Sequence, residues 1–361
     1  MSDISRRGFV ALTAAGAVGT PFLLEDAWAR TRAAITAQEI VERIRKNAGV
    51  EWNEDGVDTF KAGDPSTIVT GVVTTSMATL DVLHKAVQAG ANLVITAAPT
   101  FYSRADLREP GGRGFGPGRG GPGARGRGRG GPPPPSPATI SGPGTGASAP
   151  MPPTPTLPAA VVPPPQRGAF APPPAPTGPD PVYAGKNAFI DRHTLVVFRL
   201  TEHWNSRRPD PRALGLAAAM GWTKYSAGED ARHYDVPAVR LDALAGQLKN
   251  ALGIRGGIRA VGDRTISVRK IGLLPGFTLI KDAIAMLPDV DAIIAGEVQE
   301  WESPAYVQDV AFAGIKKGFI SIGRVVDEAP GMMVCADWLK TIVPEVPVRF
   351  IPAGDPYWRP L

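Results

Sequence analysis

The sequence predicts an α/β fold of two lobes, and three observations predict it. Apolar, β-branched runs alternate with amphipathic helical stretches along both halves of the chain. The run Leu93–Ile95 has no polar alternate, as expected of a strand covered on both faces. The length, 361 residues with 43% apolar composition, suffices for two lobes of ordinary size.

The elements follow in order. A helix over 35–50 opens the fold, with Thr36 and Glu39 at capping-box spacing and Ile35 and Ile40 placed to staple the entry. After a turn at 62–66, the run 67–75 reads as a strand. A helix over 76–90 stops at Gly90, and 92–96 is the next strand. Strand, helix and strand make a β-α-β unit, so these two strands are parallel with a right-handed crossover. A helix over 180–193 then leads into a strand over 194–200. The stretch 209–222 is a helix with Asp210 as N-cap and Pro211 at its first position. A helix over 241–254 precedes two strands joined around Gly262 and Asp263. Three helix-to-strand steps close the chain: 279–287 to 291–297, 303–314 to 318–324, and 331–343 to 346–351.

Two segments stand outside this pattern. Arg6 and Arg7, then Phe9 and an apolar run ending near the small-x-small stretch Ala27–Ala29, form a twin-arginine export signal over 1–29. The run is too short for a comfortable membrane span, so the mature protein is expected to carry none and to reach the periplasm or the exterior. Residues 109–178 hold 21 of 38 prolines and 17 of 42 glycines, which gives too little apolar surface to offset the entropy of ordering. They read as a disordered insertion. The folded remainder divides into a discontinuous first lobe, 30–108 and 179–240, and a second region, 241–361. The insertion carries six arginines against Glu109, which accounts for the whole formal charge of +5. Its Arg-Gly part resembles an RNA-binding box, yet the folded body is nearly neutral and an exported protein meets little nucleic acid, so none is expected as a partner. Cys335, the one cysteine, can form no intrachain disulfide and reads as a buried structural thiol.

Chemistry in α/β proteins collects where strands run into loops. Four such stretches stand out: 94–99, 292–303, 320–328 and 199–210. At these residues the chain resembles the Nif-three-like family of dinuclear-metal proteins, whose members are often labelled type-2 GTP cyclohydrolase I, and its exported branch in particular. The resemblance spans roughly 33–106 and 180–357. It implies two α/β lobes assembled into hexameric rings, with two metal ions between the lobes. Relatives place His-Glu-Pro or His-His-Pro after the first of these strands, a His-Asp-His-Trp-His run, and a Gly-His followed four residues later by Glu.

This chain departs from that set. Ala97 and Ala98 stand at the first ligand positions, Thr201 and Asn205 at two of the His positions, Arg324 at the Gly-His position, and Arg104 where relatives often have a further His. Glu328 matches, Glu202 is a longer version of the usual Asp, and His203 and Trp204 match. A methyl group donates nothing to a metal ion, and an arginine repels one. The expectation is a degenerate member with no cofactor, unless Glu202, His203, Asp210 and Glu328 rebuild a site for one divalent ion. The alternative is an active, GTP cyclohydrolase-like metal-dependent hydrolase working from such a rebuilt site, and two ions are expected only if the family set is intact. Without metal, Arg324, Arg207 and Arg208 are expected to line a crevice that holds a small anion such as phosphate, or a nucleotide. Plainer readings stand beside these. Asp210 is an N-cap, His203 a satisfied half-buried imidazole, and Glu297 and Glu300 are helix-start carboxylates. Arg324 and Glu328, four apart, can form an internal ion pair.

Overall fold

The computed structural model describes residues 34–103, 106, 108 and 180–360. The export signal, the insertion at 109–178 and Arg104 lie outside the described residues. Everything below concerns the unit that joins the chain before the insertion to the chain after it.

Two five-stranded sheets organise the fold. The first has the order β1-β4-β3-β2-β10, from β1 (Phe60–Ala62), β4 (Val196–Arg199), β3 (Leu93–Thr96), β2 (Val72–Thr75) and β10 (Val348–Phe350). The pairs β10–β2, β2–β3 and β3–β4 are parallel, and β1 is antiparallel to β4. The second has the order β5-β7-β8-β9-β6, from β5 (His233–Arg240), β7 (Ser267–Phe277), β8 (Ala292–Glu297), β9 (Gly318–Ser321) and β6 (Arg259–Val261).

Both faces of each sheet are covered, which is why strands such as Leu93–Thr96 are buried throughout. On the first sheet, α1 (Ala37–Lys46) and the second half of α9 (Arg324–Ile342) pack on Val72, Leu93, Ile95, Val196 and Phe198. Across the sheet, α2 (Leu80–Gln88) and α3 (Pro181–Arg192) cover Val73, Val94 and Val197. On the second sheet, α5 (Pro211–Ala219) and α6 (Leu241–Ala251) cover one face, and α7 (Ile280–Met286) and α8 (Ser303–Phe312) the other. The short α4 (Glu202–Ser206) follows β4.

The local signals behave as chemistry demands. Thr36 N–H donates to Glu39 Oε2 at 2.7 Å and Glu39 N–H to Thr36 Oγ1 at 3.2 Å, closing the capping box of α1. Asp210 accepts from Arg212 N–H at 3.0 Å and caps α5 behind Pro211. Gly215 on α5 meets the Pro330 carbonyl of α9. An added Cβ would lie 2.4 Å from that oxygen, so the two helices approach this closely only with glycine there.

Four readings change. The strand read over 67–75 is ordered into the ladder only from Val72, because Thr70 spends its N–H on Asn92 Oδ1 and its hydroxyl on Gly90 O. The strands around Gly262 and Asp263 do not pair with each other. Both sides of β7 are taken by β5 and β8, so β6 finds its partners on β9, antiparallel at the far edge. The last helix starts at Arg324 rather than 331 and runs through Pro330. Strands β1 and β5 escaped the pattern: β1 has three residues, and β5 is an edge strand interrupted by Pro237. Strand β5, grouped by sequence with the first lobe, bonds to the second sheet, and β10 bonds to the first.

Candidate functional site

Strands β3, β4, β8 and β9 deliver the sequence-singled residues at their carboxyl ends. Ala97 is buried directly after β3, with its N–H on Thr75 O at 3.1 Å, and Ala98 N–H bonds Ser76 O at 2.9 Å. Thr201, after β4, donates its hydroxyl to the Ala97 carbonyl and accepts from Arg199 Nε at 3.2 Å. The place where a ligand-bearing loop was expected is thus closed by a hydroxyl-to-backbone bond and a buried guanidinium.

Helix α4 owes its position to Asp58, a residue that no motif in the chain marks. Asp58 is buried and accepts from Thr201 N at 2.6 Å, Glu202 N at 3.1 Å and His203 N at 3.0 Å. It also meets His203 Nδ1 at 2.7 Å. Nε2 of the same ring accepts from Asn53 N–H at 2.8 Å, which leaves the proton on Nδ1. Trp52 stacks on the ring at 3.7 Å, nearly parallel. His203 therefore has both nitrogens engaged and a face covered. Glu202 points outward and accepts from Val57 N–H at 3.2 Å, and Asn205 bonds its N–H to Thr201 O within the turn.

Across the crevice, Arg324 is the first residue of the 19-residue α9, directly after β9. Its Nε donates to Glu328 Oε1 at 3.0 Å, and a second guanidinium nitrogen lies 3.8 Å from Glu297 Oε2. Glu328 is 2% exposed. Burial pushes its carboxyl above the ordinary range, and the nearby Arg324, Arg212 and Arg199 oppose that push. Its neighbour Asp327 is wholly enclosed and accepts from Gly276 N–H at 2.6 Å, and burial pushes it up to about 8. Arg199 is held below its usual range first by burial, with Arg324 adding to the effect and Asp106 and Asp58 resisting it. The charges of the two lobes therefore act on one another here.

Beside Arg324 opens a cleft of about 630 Å³. Its walls include Arg324, Arg259, Glu297, Ser321, Gly257 and Tyr357. Arg207 and Arg208 are not among them. Arg207 donates to Asn47 O and Ala48 O and lies over the rings of Trp204 and Trp338, and Arg208 bonds Asn205 O and Arg207 O. The expected arginine trio is reduced to Arg324, because indole rings and helix-end carbonyls hold the other two. Asp210 is also elsewhere, fully buried between Arg212 Nη2 at 2.9 Å and Arg232 Nη2 at 3.0 Å.

Two divalent ions need several carboxylate or imidazole donors converging on one place. Here two positions are methyl groups, the Thr201 hydroxyl is turned onto a carbonyl, His203 is saturated, and Arg324 adjoins the one matching glutamate. Among the described residues no three His, Cys, Asp or Glu side chains converge on a common point. These residues do not fit a dinuclear centre, and the Glu202, His203, Asp210 and Glu328 set does not gather either.

A two-sheet α/β protein whose strand ends meet a long helix across a crevice is the class that this fold and site define. Solved structures share that architecture. A hypothetical protein of Staphylococcus aureus, SA1388, matches with a TM-score of 0.54 at 13% identity, over 91% of this chain and 100% of that one. A Bacillus cereus protein related to NIF3 matches with 0.54 at 12%, over 91% and 100%. Protein ybgI, of unknown function, matches with 0.52 at 16%, over 89% and 100%. The chain thus has the fold of the Nif3-related structures. No protein-family model matches it, and no curated protein does.

Besides Asp58, sequence reasoning passed over Arg199, Lys61 and Asp106, whose charges act on one another beside the closed ligand position. Arg199 left a signal: an arginine ending a buried apolar strand. Tyr357, on the cleft wall, left none.

Proposed function

We propose that this chain is an exported member of the Nif-three-like family that has exchanged the two-metal centre for a small-anion site at the start of α9. The observation that carries this reading is Arg324. It replaces a metal-ligand position, and it sits where a helix start disfavours a cation and favours an anion. Glu328 satisfies one edge of its guanidinium, and no other hydrogen bond of that side chain forms among the described residues. The rest of it lines the cleft. On this reading the protein binds a phosphate- or carboxylate-bearing ligand without turning it over, and it assembles with copies of itself as the family resemblance implies.

Elemental analysis and a thermal-shift series on the full-length exported protein test the proposal. The expected result is no stoichiometric divalent metal, a Tm that rises with inorganic phosphate, and loss of that rise in Arg324→Ala. About two metal ions per chain, released by chelator with a fall in Tm, would restore the metal-dependent hydrolase reading instead.

A further inference from the structure

The cleft has a second wall that the anion does not need. The chain after β10 is pinned against the loop before β6 by one buried carboxylate. Asp355 accepts from Arg255 N at 2.8 Å, Gly256 N at 2.7 Å and Tyr357 N at 3.0 Å, and Arg255 Nη2 donates to the Asp355 carbonyl at 2.7 Å. Burial alone would raise this carboxyl, but the backbone donors of Gly256, Tyr357 and Arg255 outweigh it and hold it below its usual range. The clamp is therefore formed at neutral pH. It fixes the backbone of Tyr357 at the cleft wall.

The ring that this clamp presents is uncovered. Tyr357 is 70% exposed, and no aromatic ring of the described residues stacks on it. A ring on a fixed backbone with most of its surface open offers area to a stacking partner, and only its two side-chain torsions remain to be ordered when something stacks on it. Arg324 and Arg259 line the same cleft. Among the described residues Arg259 pairs with Glu300, at 2.6 Å, both side chains being open to water, and such a pair contributes little and yields readily to a better anion. The volume, about 630 Å³, exceeds what a bare phosphate fills and is ordinary for a ligand that carries a ring.

We infer that the cleft takes a planar aromatic ring bearing a phosphate or carboxylate group, with the ring stacked on Tyr357 and the anion held by Arg324 and Arg259. Resting on the anion reading above, this adds the ligand's second half and the residue that recognises it. The site is built by the second sheet and the C-terminal segment, away from Ala97, Ala98 and Thr201.

Three probes separate the two claims on the full-length protein: inorganic phosphate, methyl phosphate and phenyl phosphate, titrated by calorimetry. Phenyl phosphate is expected to bind about three- to tenfold more tightly than methyl phosphate, the range that one ring contact supplies. Tyr357→Ala should remove that preference and leave methyl phosphate binding unchanged, while Tyr357→Phe keeps it. The exposure of Tyr357 makes both variants safe for folding. Arg259→Ala should weaken both esters alike. Equal binding of the two esters, or a preference that survives Tyr357→Ala, overturns the ring contact and leaves the anion site standing. Binding of none of the three probes overturns both.

Discussion

Arg324 Nε lies 3.0 Å from Glu328 Oε1, one helical turn along α9, with the glutamate nine-tenths buried and the arginine 36% exposed at the side chain. The pair joins the start of α9 to the crevice between the sheets. It is also asymmetric, since water can reach the cation and barely reaches the anion. Removing the arginine strands a buried carboxylate, which for a fully enclosed pair costs about 3–5 kcal/mol. Partial exposure of Arg324 lets water replace some of its effect, so Arg324→Ala is expected to cost about 2 kcal/mol. Urea midpoints measure this. Adding Glu328→Gln to the Ala variant should recover most of the loss, because the charge left behind is then gone. A double variant no more stable than the single one would show that the pair is not what holds this end of the helix.

A second prediction concerns Asp58, which gathers three backbone N–H groups and the His203 ring at the head of α4. A capping side chain contributes about 1 kcal/mol, and an anionic acceptor of several buried donors contributes more. Asp58→Ala should therefore destabilise the protein by about 3 kcal/mol, and Asp58→Asn by less. The near-ultraviolet circular dichroism signal of Trp52 should fall with it, since the ring stacks on a histidine that Asp58 fixes. A variant with wild-type midpoint and unchanged tryptophan signal would refute the role.

How much of this was legible in the sequence follows from what each feature leaves behind in a chain. The capping box of α1 and the Asp210-Pro211 start of α5 are local, so residue types adjacent or three apart announce them. The Arg324–Glu328 pair needs only helical spacing and was readable for the same reason. Asp58 and His203 lie 145 residues apart, and nothing in either neighbourhood marks them as partners. Arg207 looked like a free cation because the indoles of Trp204 and Trp338 that hold it come from two helices. Strand β6 was readable as a strand, but its partner was not, since pairing depends on which edges other strands have already taken.

Lys186 gives a pH signature. It is buried, its Nζ donates to Thr100 O at 2.5 Å, and it lies over the Tyr102 ring at 4.9 Å. Burial lowers its pKa from 10.5 to about 8, and Asp106 opposes the shift. The folded state then binds this proton more weakly than the unfolded state. Below pH 8 the lysine is charged in both states, and the penalty of burying the charge is fully present. Between about 8 and 10.5 the folded protein has shed the proton while the unfolded chain keeps it, so stability rises with pH. The rise attributable to Lys186 is at most about 3 kcal/mol. Comparing urea midpoints at pH 7 and pH 10 in the wild type and in Lys186→Met isolates it, because other titrating groups are common to both. Parallel pH profiles would show that Lys186 keeps an ordinary pKa in the fold.

The junctions on either side of the insertion are tied to the same helix. Arg108 Nε donates to Asn187 Oδ1 at 2.7 Å and its Nη2 to Asp191 Oδ1 at 2.6 Å, and Asn187 Nδ2 returns a bond to Arg108 O at 2.8 Å. Asp180 caps that helix by accepting from Val182 N and Tyr183 N. The chain before the insertion is therefore anchored on α3 independently of whatever connects the two ends. Replacing residues 110–178 with a short Gly-Ser linker should leave Tm within about 3 °C of the full-length value, since lengthening or shortening such a connection changes closure entropy only slowly. Arg108→Ala in the shortened chain should lower Tm further than the deletion does, because it removes the anchor itself. A drop of ten degrees or more from the deletion alone would mean that those residues contribute packing to the folded unit and are not a tolerated excursion.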